Sequence, residues 1–154
     1  MCKHLYHYLL IKRSGLFDES YYFLNYPDVR KEDVDPLMHF IKYGWKEGRN
    51  PSKFFETSYY LEHNRDVFKK GINPLIHYLR NGGFEGRDPC PDFSSNWYLS
   101  TYEDVRKSRM NPLVHYIKYG TQENRMISAK SNKIDQTKEK ITKKHQISVV
   151  IPVF

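Results

Sequence analysis

The sequence predicts an all-α chain whose body is a short solenoid of three helical hairpins, and three observations predict it. A 38-residue period runs three times, as residues 17–54, 55–92 and 93–127, without an insertion. Each period holds an Asp or Asn followed at once by Pro, then Gly further on, as in Asp35-Pro36 with Gly44, the punctuation of a short helix. Between those marks the apolar residues fall at helical spacing: Leu37, Phe40 and Ile41, then Leu75, Tyr78 and Leu79, then Leu113, Tyr116 and Ile117. Aromatics form 16% of the chain, with 13 Tyr and 9 Phe, so tyrosine bodies supply much of the core and their hydroxyls are steered to its edges.

Residues 1–16 are expected to add a capping helix on the first unit. Phe17, Phe55 and Phe93 open the three units. The first helix of each carries Tyr21-Tyr22-Phe23, Tyr59-Tyr60-Leu61 or Trp97-Tyr98-Leu99, with Asp18, Thr57 and Ser94 or Ser95 as candidate caps. Pro27 limits the first helix of unit one. Asp28, Asp66 and Asp104 follow as local turn or cap residues. The second helix starts at Asp35, Asn73 or Asn111, and such a cap contributes about 1 kcal/mol relative to Ala. It is too short to persist alone in water, so packing must hold it. His39, His77 and His115 lie on it, and Gly44, Gly82 and Gly120 close it. Beyond stand Gly48, Gly86 and Asn124 at one repeated position; Gly and Asn share tolerance of positive φ, so the backbone there is expected to be left-handed.

After Ser128 the pattern stops. Residues 128–146 are Ser, Lys, Asn, Gln and Thr with little to bury, and read as a flexible, basic, polar linker. The net charge of +7 is concentrated there: residues 128–154 hold six lysines against Asp135 and Glu139. Ile147-Ser148-Val149-Val150-Ile151-Pro152-Val153-Phe154 is a β-branched apolar run expected to be a buried strand, isolated at the end of an otherwise helical chain. A mean hydropathy of −0.76 and the lack of any apolar run near 18 residues exclude a helical membrane span. Leu5 to Ile11, closed by Lys12-Arg13 without a small-residue cleavage site, is not read as a secretory signal. Two cysteines, Cys2 and Cys90, form neither a disulfide framework nor a metal pattern, which suits a reduced cytoplasmic protein.

The units, with Phe-Asp-x-x-Tyr-Tyr, Pro-Asp-Val, Asp-Pro-Leu-x-His and Tyr-Gly-Trp-x-Glu-Gly-Arg-x-Pro, resemble repeats found ahead of bacterial glycosyltransferase domains in polysaccharide synthesis. The closing run Ile-Ser-Val-Val-Ile-Pro-Val-Phe resembles the opening strand of a family 2 glycosyltransferase. Their order along one chain joins the two resemblances. Together they imply a nucleotide-sugar-dependent transferase whose Rossmann-like catalytic domain starts at 147–154 and is truncated here. In that family the end of the first strand lines the nucleotide base, which maps onto Pro152 and Phe154; Phe154 stands where the family more often has Tyr. The family's metal-binding aspartates and catalytic base lie further downstream. The chain itself is therefore expected to hold no catalytic residue, metal or cofactor, with nucleotide-sugar and divalent cation belonging to the catalytic domain alone.

The recurring polar residues have structural readings. Packed helices lie about 8–10 Å apart, whereas two zinc-bound nitrogens are at most roughly 4 Å apart, so histidines of neighbouring units cannot easily share an ion. They are expected to bond a neighbouring turn. Glu47 with Arg49, and their counterparts Glu85 with Arg87 and Glu123 with Arg125, are expected to form a ladder of ion pairs between units rather than a site for an acidic ligand. The aromatics beside basic residues follow helical spacing in a nearly charge-balanced region, so core packing is preferred to nucleic-acid binding.

The expected function is that of the non-catalytic front of a family 2 glycosyltransferase, its repeats positioning the enzyme or binding a protein partner or a glycan. The alternative is a freestanding helical scaffold for a protein partner. Either would be cytoplasmic, with membrane contact no more than peripheral, through the lysine-rich stretch at the inner face, where each lysine adds about 1 kcal/mol on anionic lipid.

Overall fold

The computed structural model describes residues 2–131, which are mostly helical. The expected strand, with Pro152 and Phe154, and the expected linker from 132 onward lie outside the described residues. Helix α1 spans Lys3–Ser14 and stops at Gly15, whose φ of 74° is left-handed. Lys12 and Arg13 in its last turn suit the negative end of its dipole. Unit one continues with α2 (Glu19–Asn25), α3 (Pro27–Lys31) and α4 (Pro36–His39). Unit two has α5 (Thr57–His63), α6 (Arg65–Lys69) and α7 (Pro74–His77); unit three has α8 (Ser95–Thr101), α9 (Glu103–Ser108) and α10 (Pro112–His115). Residues 129–131 begin a helical turn within the stretch expected to be linker.

Each unit thus has three helical segments rather than the two expected. Pro27 does end α2, and as the first residue of α3 it costs no hydrogen bond. Units two and three break at Asn64 and Tyr102, the counterparts of Tyr26, with Arg65 and Glu103 in the place of Pro27. The helices α4, α7 and α10 also run on into a wide π turn, Phe40–Gly44, Tyr78–Gly82 and Tyr116–Gly120. Its i→i+5 bonds are donated by Trp45, Gly83 and Thr121 to the carbonyls of Phe40, Tyr78 and Tyr116, at 3.2, 2.9 and 2.9 Å.

Asp35, Asn73 and Asn111 are N-caps, their side chains accepting from Met38 N, from Leu75 and Ile76 N, and from Leu113 and Val114 N. Asp18 and Ser94 cap α2 and α8. Thr57 does not cap: it is the first residue of α5, after Glu56, and its hydroxyl donates to the Arg49 carbonyl at 2.7 Å. Gly48, Gly86 and Asn124 have φ of 73°, 79° and 51°, as the shared residue types require.

The core is one cluster threaded through all three units. Tyr22, Tyr60 and Tyr98 are fully buried, as are Phe55, Val29 and Leu75. Burying a Val, Leu or Phe side chain contributes about 1.5–3 kcal/mol, so these segments hold by packing rather than by propensity. Successive units are joined by backbone N–H bonds from Thr57 to Asn50 Oδ1 (2.9 Å) and from Ser95 to Asp88 Oδ1 (2.8 Å). The Tyr78 hydroxyl lies 2.9 Å from Ser95 Oγ, and Asn111 Nδ2 donates to the Tyr78 carbonyl at 3.0 Å. Helix α1 does not cap unit one alone. It packs on α4 and its π turn and on α7, and Lys118 Nζ donates to the Arg13 carbonyl at its end, at 3.0 Å.

Among the described residues no helix is long and apolar enough to cross a membrane.

Candidate functional site

Two polar arrangements recur in every unit. The first is a clamp on an arginine. Arg49 donates through both terminal nitrogens to Asp28, at 3.0 and 2.7 Å, while its Nε lies 2.6 Å from Glu47. Arg87 grips Asp66 at 2.8 and 3.0 Å with Glu85 at 2.7 Å. Arg125 holds Asp104 at 2.9 and 2.7 Å and pairs with Glu123. The fork geometry of guanidinium against carboxylate makes this a directed contact. Arg49 and Arg125 also lie over the rings of Tyr26 and Tyr102, at 5.0 and 4.6 Å; at the corresponding place in unit two, Asn64 Oδ1 accepts from Arg87 instead.

These pairs correct two expectations. The ladder expected between units is closed inside each unit, because each loop folds back on its own opening turn: Asp18, Glu56 and Ser94 N–H groups donate to the carbonyls of Pro51, Pro89 and Ile127. Asp28, Asp66 and Asp104 are the anchors of that closure rather than turn residues alone. Their arginines hold the carboxyls below the usual range, Asp66 and Asp104 down to about 2.

The second arrangement pairs a tyrosine with a histidine. The hydroxyls of Tyr22, Tyr60 and Tyr98 lie 3.0, 2.9 and 3.0 Å from Nδ1 of His39, His77 and His115. Each histidine meets a tyrosine of its own unit rather than a neighbouring turn. Burial raises all three tyrosines and lowers His77 and His115. The hydroxyl fits because the facing residue is glycine: a Cβ at Gly44, Gly82 or Gly120 would overlap the Tyr22, Tyr60 or Tyr98 oxygen. These glycines therefore serve a close approach, and they end the π turn without the left-handed backbone of a C-cap.

A groove of about 580 Å³ opens on unit one beside Asp28, Asp35, His39, Tyr43 and Arg49. Several of its polar members are held: Asp28 and Glu47 by Arg49, His39 by Tyr22, and Asp35 by Met38 N and by the Tyr8 hydroxyl at 3.0 Å. The groove thus presents clamped charge beside the exposed ring of Tyr43. Among the described residues no cluster of His, Cys, Asp or Glu is arranged to hold a metal ion. Cys90 is buried, which pushes its thiol up and away from nucleophilic character; Cys2 is exposed.

Sequence reasoning paired each glutamate with its arginine but missed the aspartate on the other side of the guanidinium and the tyrosine beside each histidine. The signal was present, since each tyrosine recurs in the same register as its histidine, 17 residues earlier. Pro152 and Phe154 lie outside the described residues. Compared with family models, with curated proteins and with solved structures, the chain matches none.

Proposed function

We propose that the chain is the non-catalytic repeat region of a family 2 glycosyltransferase of polysaccharide synthesis, three units forming a short solenoid that positions the enzyme or holds a protein partner or glycan. The observation that carries this reading is the order of parts: three units in strict register, a lysine-rich polar stretch, then Ile147 to Phe154 with the texture of a buried strand. The recurring clamps support it. Each Asp–Arg–Glu and Tyr–His set satisfies its own unit, so the repeated chemistry of the period goes into shape and leaves the outer loops and grooves for contact. The nucleotide-sugar and the divalent cation belong to the catalytic part that this reading places after the repeats.

The test is sugar transfer by the product of the gene that encodes this chain, with and without residues 1–127. The reading expects transfer from at least one nucleotide-sugar, with the deletion sparing the chemical step and reducing assembly with its partner or the length of the product. A gene product that transfers from no donor in a full panel, or one whose deletion changes neither property, overturns it.

A further inference from the structure

A cavity of about 450 Å³ lies between α1, the π turn that follows α4, and α7 with the loop before it and the π turn after it. Lys3 and Arg80 line it together with Lys42, Lys46 and Lys70, joined by His4 and His7, and no carboxylate does. None of the five permanent cations is in an ion pair among the described residues, in contrast to the clamped Arg49, Arg87 and Arg125. Lys46 and Arg80 rest instead over the rings of Trp45 and Tyr6, at 5.6 and 5.7 Å. A recess walled by one sign of charge concentrates its field on the opposite sign.

Asn73 points independently to a ligand. It is 7% exposed, lines the same cavity, and its Nδ2 is a buried side-chain polar atom without a partner. The amide orientation is fixed, because Oδ1 accepts from Leu75 and Ile76 N at 3.0 and 3.3 Å. Its counterpart Asn111 spends Nδ2 on the Tyr78 carbonyl. That contact needs Gly83, where a Cβ would overlap Asn111 Nδ2. Unit one has Trp45 at the place of Gly83, so Asn73 cannot seat its amide on the Phe40 carbonyl in the same way. One substitution within the period thus leaves a donor unpaired in a residue that lines a cationic recess. A buried unpaired donor is costly unless something fills the site.

We infer that this cavity binds a small multivalent oxyanion of the phosphate class, with Asn73 Nδ2 donating one hydrogen bond and Arg80, Lys46 and their neighbours neutralising the charge. Ile41, Ile72, Ile76 and Trp45 form the less polar wall against which the body of a phosphorylated molecule would lie. The site is built from α1 and units one and two alone, so it is independent of the glycosyltransferase reading.

The test is calorimetric titration of the 154-residue chain with inorganic pyrophosphate at low ionic strength, alongside flotation with phosphatidic acid vesicles. Asn73→Asp keeps the cap, since Asp35 caps the same position in unit one, and replaces the free donor by a carboxylate. Arg80→Gln removes a lining cation, and Lys31→Gln removes an exposed charge elsewhere. The expected result is saturable pyrophosphate binding that raises the unfolding temperature. It should weaken at least about tenfold in Asn73→Asp and in Arg80→Gln, and stay unchanged in Lys31→Gln. Vesicle binding that pyrophosphate displaces and Asn73→Asp abolishes assigns the phosphate to a lipid headgroup and supports the same site. No binding of either probe, or equal weakening by Lys31→Gln and Asn73→Asp, overturns the inference.

Discussion

Alanine at Gly82 would put a methyl group where the Tyr60 hydroxyl now sits. Elsewhere in a helical segment the same change stabilises, by about 1 kcal/mol, through backbone entropy. Here Tyr60 is fully buried and its oxygen lies 2.9 Å from His77 Nδ1. Forcing the ring aside costs about 1–3 kcal/mol as overpacking, and separating the hydroxyl from the histidine costs a further 1–3 kcal/mol or so in unpaired polar atoms. The balance is a loss of about 3 kcal/mol, which in a chain of this size lowers the unfolding temperature by roughly 6–12 °C. The cycle with Tyr60→Phe isolates the cause. Phenylalanine alone loses the hydrogen bond, but its ring carbon Cζ stands 3.2 Å from the position of the new methyl, close enough to be accommodated by a small shift. The double variant should therefore be more stable than the two single losses imply, with a coupling of about 1–2 kcal/mol. Thermal unfolding of the four proteins measures it. A Gly82→Ala protein as stable as the parent, or a coupling near zero, would refute the close approach as the reason for glycine.

Three further outcomes are expected of the same contacts. Leu75 is fully buried, so Leu75→Ala should cost about 2–5 kcal/mol; Lys69→Ala, on the exposed face of α6, should stay within about 0.5 kcal/mol in denaturant unfolding. Asp66 and Asp104 titrate lower when folded than unfolded, so their stabilisation is complete above about pH 4 and is lost as the pH falls toward 2. Asp66→Asn should flatten that part of a stability–pH profile. Burial holds His77 and His115 below their usual value near 6.5. The unfolded chain takes up those protons first, so stability should decline as the pH falls below about 6.5, and His77→Gln should reduce that slope.

What the sequence made legible is local. The Asp-Pro and Asn-Pro caps of α4, α7 and α10 needed only adjacent residues, and Gly48, Gly86 and Asn124 declared a left-handed backbone by shared residue type. The break at Asn64 and Tyr102 carried no proline, so two helices were read as one. Gly44, Gly82 and Gly120 looked like helix stops because the tyrosine that excludes their side chain is 22 residues away in sequence. Thr57 had the residue type of a cap and stands one position too late, spending its hydroxyl on the preceding loop. The arginine clamps were legible as pairs but not in direction, since a period cannot distinguish contacts within a unit from contacts to the next. The exception at Trp45 is visible only once Gly83 is known to lie against Asn111.

Extending the DNA sequence past the codon for Phe154 tests the functional reading most directly. The account predicts an open frame of a further domain's length, about 100–200 codons, with paired aspartates downstream of the strand. A stop codon immediately after Phe154 in the native gene would contradict it and leave the three units as a binding scaffold in their own right.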